Sequence, residues 1–75
     1  MADILLNARG LKCPLPVLRA GKLLKTLAPG DILRVEATDA AAPKDFCAFC
    51  DAVGALLLES HEDGGVFFIA IRKVD

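Results

Sequence analysis

Apolar and polar positions alternate along this chain with two different periods, and the change between them marks out the elements. Ile4-Leu5-Leu6, within Asp3 to Asn7, is a short apolar run of the kind a buried strand carries. Ala8 to Lys12 reads as a loop. From Cys13 to Ala28 the spacing becomes helical: at about 100° per residue, Val17, Ala20, Gly21, Leu24, Leu27 and Ala28 share one face, with Arg19, Lys22, Lys25 and Thr26 opposite. Pro29-Gly30 stops that helix. Ile32 to Thr38 alternates with period two from Leu33 onward and predicts a half-buried strand, followed by a loop over Asp39 to Pro43.

A second helix is expected from Pro43 or Lys44 to Val53. Its inner face would be Phe46, Phe49, Cys50 and Val53, its outer face Lys44, Ala48 and Asp51, and Gly54 would end it. Leu56 to Ser60 predicts a third strand, Asp63-Gly64-Gly65 a hairpin turn, and Val66 to Lys73 a fourth strand. The order is βαβαββ. Two amphipathic helices cannot cover both faces of so small a sheet, so the predicted fold class is an α/β (α+β) two-layer sandwich. A mixed four-stranded sheet carries both helices on one face, and residues 1–75 form a single domain.

Composition narrows the function. The chain has 75 residues, of which 55% are hydrophobic and 25% charged, which excludes an intrinsically disordered chain. No apolar run is long enough to span a membrane, and Met1-Ala2-Asp3-Ile4 is unlike a secretory signal, so a cytoplasmic protein is expected. The net charge of −1 argues against direct nucleic-acid binding, but it is an average over two unlike parts. Residues 1–30 hold five basic side chains against Asp3 alone, and residues 31–75 hold four against nine acidic ones. The basic third offers local attraction to an acidic partner.

The basic third also carries the most telling segment, Arg9-Gly10-Leu11-Lys12-Cys13-Pro14-Leu15-Pro16. A proline is tolerated in the first turn of a helix, where its missing N–H would have had no partner, so this pair of prolines starts the helix close to Cys13. A thiol at a helix N-terminus, flanked by Arg9, Lys12 and Arg19, is expected to ionise easily. Pro14 and Pro16 would stiffen the loop and present the sulfur. The plain alternative is a structural cysteine beside a helix start. Protease-type catalysis would need a histidine nearby, and the only one, His61, is far along the chain; a thioredoxin-like pair would need a second cysteine just after Cys13. What remains is sulfur exchange with another protein, through a mixed disulfide or a persulfide.

The segment Arg9-Gly10-Leu11-x-Cys13-Pro14-x-Pro16 resembles the motif of the TusA/SirA-type sulfur-carrier family. The likeness continues through Pro29-Gly30-Asp31, Thr38-Asp39, Asp45-Phe46, Phe49-Cys50 and Leu57 to Ser60. The chain departs from the family's habit at Asp39-Ala40, where Asp-Pro is common, and at Cys47, where proline is. The resemblance implies a βαβαββ sandwich and a sulfurtransferase acting as a relay. In that relay Cys13 takes sulfane sulfur as a covalent persulfide, with no other cofactor. The sulfur comes from a cysteine desulfurase or a rhodanese-like donor and passes to an acceptor protein, for example in tRNA 2-thiouridine synthesis or sulfur metabolism. A monomer is expected.

The remaining candidates are weaker. Leu15 and Leu18 lie on the helix side that carries Arg19, Lys22 and Lys25, an apolar patch rimmed by cations and suited to partner docking; the plain reading is a solvated basic face. Asp39 ends the second strand, where ligand sites gather in parallel α/β units, and would support Cys13 or recognise the acceptor. Cys47 and Cys50 would be packing residues, or a redox pair. A zinc site from Cys13, Cys47, Cys50 and His61 is disfavoured, because zinc knuckles place Cys-x-x-Cys on a turn, and no metal is expected. Three functions stay open: a persulfide shuttle, a non-catalytic interaction module docking through the basic helix face, and a thiol redox protein using Cys47 and Cys50.

Overall fold

The computed structural model describes residues 2–75. In chain order it contains β1 (Asp3–Ala8), α1 (Leu15–Thr26), β2 (Ile32–Ala37), α2 (Ala42–Val53), β3 (Leu56–Asp63) and β4 (Val66–Arg72). The strands form one sheet in the order β1-β2-β4-β3, with β1 parallel to β2 and the other two pairings antiparallel. This is the expected mixed sheet of a two-layer α+β sandwich.

Alternation along the strands decides which side is covered. Leu33, Val35 and Ala37 of β2 and Ile69 and Ile71 of β4 are buried in one cluster with Ala20 and Leu24 of α1 and Phe46 and Cys50 of α2. Their neighbours Leu5, Arg34, Glu36, Phe68 and Ala70 line a shallow hollow on the other side, to which neither α1 nor α2 contributes a residue. Phe46 is wholly buried, and removing a side chain of its size from water stabilises the fold by roughly 1.5–3 kcal/mol. Asp31 ties three segments together at the start of β2. Its carboxylate accepts the backbone N–H groups of Ala2 and Ala28, each at 2.8 Å.

Several element limits differ from those expected. The first helix begins at Leu15, two residues after Cys13, because Pro14 takes the cap position and Pro16 sits within the first turn. It ends at Thr26, and Ala28 is exposed. The second helix begins one residue earlier than the proline suggests, at Ala42. Val53, expected on its inner face, is 53% exposed, because Phe46 and Cys50 already fill the space above the sheet. Gly54 ends the helix at φ +74°, a conformation glycine adopts without the steric penalty of a Cβ, and its N–H donates to the Cys50 carbonyl.

The third strand runs to Asp63 rather than Ser60. The two-residue Gly64-Gly65 turn has positive φ at both positions, which matches the twist of the strands and keeps pairing in place up to Asp63 opposite Val66. A bulge between Leu57 and Glu59 leaves Leu58 unpaired and exposed. The fourth strand ends at Arg72. Lys73 then closes the sheet's end, its Nζ donating to the Leu27 carbonyl at 2.7 Å. No helix among the described residues is long and apolar enough to cross a membrane.

Candidate functional site

Parallel strands end side by side, so the loops that follow them meet. Ala8 of β1 lies beside Ala37 of β2, and the loops after these residues converge at the same edge of the sheet. Gly10 turns the first loop at φ +81° and donates its N–H to Thr38 Oγ1 at 3.0 Å. The Leu11 N–H donates to the Ala8 carbonyl, and that of Leu15 to the Lys12 carbonyl. Between these anchors the Cys13 N–H donates to Asp39 Oδ2 at 2.6 Å. Asp39 is itself held by the second loop, its Oδ1 accepting the Ala41 N–H at 3.3 Å. The structure thus brings Cys13 and Asp39 together, although 26 positions separate them.

Cys13 is exposed at the mouth of a recess lined by Pro14, Val17, Asp45, Ala48, Phe49 and Ala52. The peptide bond before Pro14 is cis. Pro14 is exposed beside the sulfur, whereas Pro16 is buried within the first turn of α1, so the second proline anchors the helix start rather than shaping the loop surface.

The electrostatics differ from the expectation of an easily ionised thiol. The Cys13 thiol is pushed up from its ordinary range. The Asp45 carboxylate, placed in the recess where it can take the thiol's proton as a hydrogen-bond acceptor, contributes most, followed by partial desolvation and then the negative charges of Asp45 and Asp39. None of the cations expected to offset this is paired with the Cys13 thiol. Arg9 pairs with Glu36 at 3.4 Å and donates to Asn7 Oδ1 at 3.2 Å. Arg19 lines the neighbouring groove, and Lys12 is exposed. The helix start gives little help either, since Cys13 precedes α1 by two residues and no side chain caps that end.

Leu15 and Leu18 are 44% and 57% exposed. With Arg19, Lys22 and Lys25 they line a groove between the helices that shares Val17 and Phe49 with the Cys13 recess, so one continuous depression runs from the sulfur along the seam of α1 and α2. Asp45 is the residue of this site to which the sequence pointed to no role. It occupies the first turn of α2, where an acidic side chain is ordinary, and only the packing of α2 against α1 brings it to the thiol.

The other two cysteines part company. Cys47 is exposed on α2. Cys50 is buried in the core, and burial, with smaller contributions from Cys47 and Asp51, pushes its thiol up to about 11. His61 belongs to β3, where it stacks on Phe68 with ring centroids 5.3 Å apart and its Nδ1 lies 2.8 Å from Glu59 Oε2. The set Cys13, Cys47, Cys50 and His61 is therefore not gathered. Among the described residues no three side chains of metal-ligating type come together.

Comparison with known proteins agrees with this layout. A family model described as sulfurtransferase TusA matches residues 4–73. The sulfur carrier protein TusA of Allochromatium vinosum is 50% identical over 68 residues, covering 91% of this chain and 90% of that one. Its counterpart in Pseudomonas putida is 42% identical over 71 residues, with coverage of 95% and 89%. The crystal structure of a SirA-like protein from Desulfitobacterium hafniense matches with a TM-score of 0.84 and 27% identity, over 96% of this chain and 99% of that one. A shared fold, a match over nearly the whole length and identities of this size leave one assignment: the chain belongs to the TusA sulfurtransferase family.

Proposed function

We propose that this chain is a single-domain sulfur carrier that takes sulfane sulfur onto Cys13 as a persulfide and hands it to an acceptor protein. The observation that carries the reading is an exposed thiol at the mouth of an open recess, with its backbone N–H fixed by Asp39. Transfer needs an accessible sulfur on a stiff support and a surface on which a partner can seat. In loading, the Cys13 sulfur attacks the outer sulfur of a donor persulfide. A new S–S bond forms at Cys13, the donor's own S–S bond breaks, and the donor thiol leaves with the proton that Cys13 gives up. Discharge runs the same exchange toward an acceptor thiol. The two-electron balance closes without an external oxidant, and the sulfur is cargo rather than a resident cofactor.

Arg9, Gly10, Lys12, Pro14 and Pro16 build the segment that presents Cys13, and Leu15, Leu18, Arg19 and Lys22 supply the docking surface for donor and acceptor. The donor is a cysteine desulfurase or a rhodanese-like protein, and the relay serves tRNA thiolation or another branch of sulfur metabolism in the reducing cytoplasm. Incubation with a cysteine desulfurase and L-cysteine, followed by intact-mass measurement, tests the reading. The protein should gain one sulfur. Cys13→Ser should lose that gain completely, while Cys47→Ser and Cys50→Ser keep it. Absence of any adduct on the unaltered chain, or its survival in Cys13→Ser, would sink the proposal.

A further inference from the structure

The Asp45 carboxylate lines the same recess as Cys13, and no described residue partners it. Asp39 is committed to two backbone N–H groups. Asp45 makes no ion pair with any described residue, and its carboxylate accepts no hydrogen bond from a described side chain or backbone group. The charged and titratable groups around the sulfur come from three places. Helix α2 contributes Asp45, the loop after β2 contributes Asp39, and the sulfur's own loop contributes Lys12, which is exposed. The other side chains lining the recess, Pro14, Val17, Ala48, Phe49 and Ala52, are uncharged. Arg9 is paired with Glu36, and Arg19 lines the neighbouring groove. An entering partner therefore meets a reactive sulfur and one free carboxylate in otherwise apolar surroundings.

Building on the carrier reading, we propose that Asp45 is the specificity-determining residue of sulfur transfer: its carboxylate restrains the Cys13 sulfur in the free carrier, and a cationic side chain of the docked donor releases it by pairing with that carboxylate. The thiolate, not the thiol, is the nucleophile, so a fixed negative charge beside the sulfur slows attack on any electrophile that brings no cation of its own. A protein donor that places an arginine or lysine against Asp45 removes that restraint at the moment of docking, in a recess where water is thinned and the pairing is strong. Free Cys13 is then guarded against small electrophiles, and transfer is confined to a seated partner. The suppressed ionisation of Cys13 in the free protein is in keeping with this arrangement.

The test compares two reactions of one sulfur, in a Cys47→Ser background so that only Cys13 is accessible. One is alkylation by iodoacetamide, a neutral small electrophile; the other is loading by a cysteine desulfurase with L-cysteine, read by intact mass. In Asp45→Asn, alkylation at neutral pH should rise about five- to tenfold, the increase in thiolate fraction expected when one adjacent charge is removed. Loading should stay level or fall, because the donor's cation has lost its partner, so the ratio of loading to alkylation drops by at least the same factor. Asp45→Glu should keep the unaltered ratio.

An unchanged alkylation rate in Asp45→Asn, or loading that rises in constant ratio with it, overturns the proposal while leaving the carrier reading in place. Failure of the unaltered protein to gain sulfur overturns both. Should Asp45→Asn fold poorly, the unaltered carrier still decides: alkylation followed against pH must place the ionisation of Cys13 above that of free cysteine, and a value at or below it also overturns the proposal.

Discussion

Cys13 and Cys50 are the same chemical group in one small fold, and both are harder to ionise than a free cysteine, for different physical reasons. Cys50 lies in the core beside Phe46, and its thiol is pushed up to about 11 chiefly because a thiolate there would lose its water. Cys13 stands in the open and is pushed up chiefly by the Asp45 carboxylate. Desolvation is a property of the packed fold and lasts as long as the fold does. A neighbouring charge can be cancelled by an incoming cation. One thiol is therefore inert by structure and the other is quiet by circumstance, and a shifted ionisation means little for reactivity until its cause is named.

The strongest way to break this contrast is to open the core without touching the edge. Phe46 is wholly buried and meets Phe49 edge-on, with ring centroids 6.2 Å apart. Phe46→Ala should cost about 3–5 kcal/mol, a large share of the stability of so small a fold, measured by urea unfolding. Protection of Cys50 from alkylation should fall in parallel, since it then depends on openings that have become more frequent. The rate at Cys13 in the molecules that remain folded should hold. A matching rise at Cys13 would mean that the edge loop and the core do not open separately.

The sequence made the contrast only half legible. The buried role of Cys50 follows from its spacing to Phe46 on a helical wheel, and the exposed role of Cys13 follows from prolines at 14 and 16. The strands of the core were equally plain, because Leu33, Val35 and Ala37 alternate with Arg34 and Glu36. The charge at Cys13 was not legible. Closeness along the chain suggested that Arg9 and Lys12 would act on the sulfur, yet a loop residue pairs with whatever the next strand offers, and Arg9 finds Glu36. Asp45 lies 32 positions from Cys13 and reaches it only through helix packing. The bulge at Leu58 was hidden for a related reason, since register depends on the partner strand rather than on the strand's own pattern.

A smaller effect separates the thiols at high pH. The folded-state ionisation of Cys50, about 11, lies above the unfolded value of 9.0. Between these values the unfolded chain has lost a proton that the folded chain keeps, so ionisation favours unfolding. Stability linked to Cys50 is therefore complete below pH 9.0 and declines as the pH rises toward 11. Thermal melts of Cys50→Ala should start from a lower baseline, because the sulfur's packing is gone, but lose less between those two pH values than the unaltered protein does. Parallel curves would show that the Cys50 proton does not govern alkaline unfolding.

The smallest expected effect is at the acid end, and it asks whether a carboxylate that holds the core behaves like the ones that face Cys13. Asp31 accepts the N–H groups of Ala2 and Ala28, and these bonds lower its carboxyl below the ordinary value of 3.8. A depressed folded value means that its stabilising contribution is fully present above the unfolded value and is lost as the pH falls below 3.8 through the folded one. Asp31→Asn keeps one acceptor oxygen but removes the charge, so near neutral pH it should lower the melting temperature by only a few degrees. The difference from the unaltered protein should shrink as the pH falls below 3.8, because both then carry a neutral group at this position. The carboxylates at the sulfur answer to a different assay: Asp39 and Asp45 should register in the alkylation rate of Cys13, while Asp31→Asn leaves that rate unmoved. A change in Cys13 reactivity in Asp31→Asn would show that the two ends of β2 are coupled and that the edge sulfur is not set by its local charges alone.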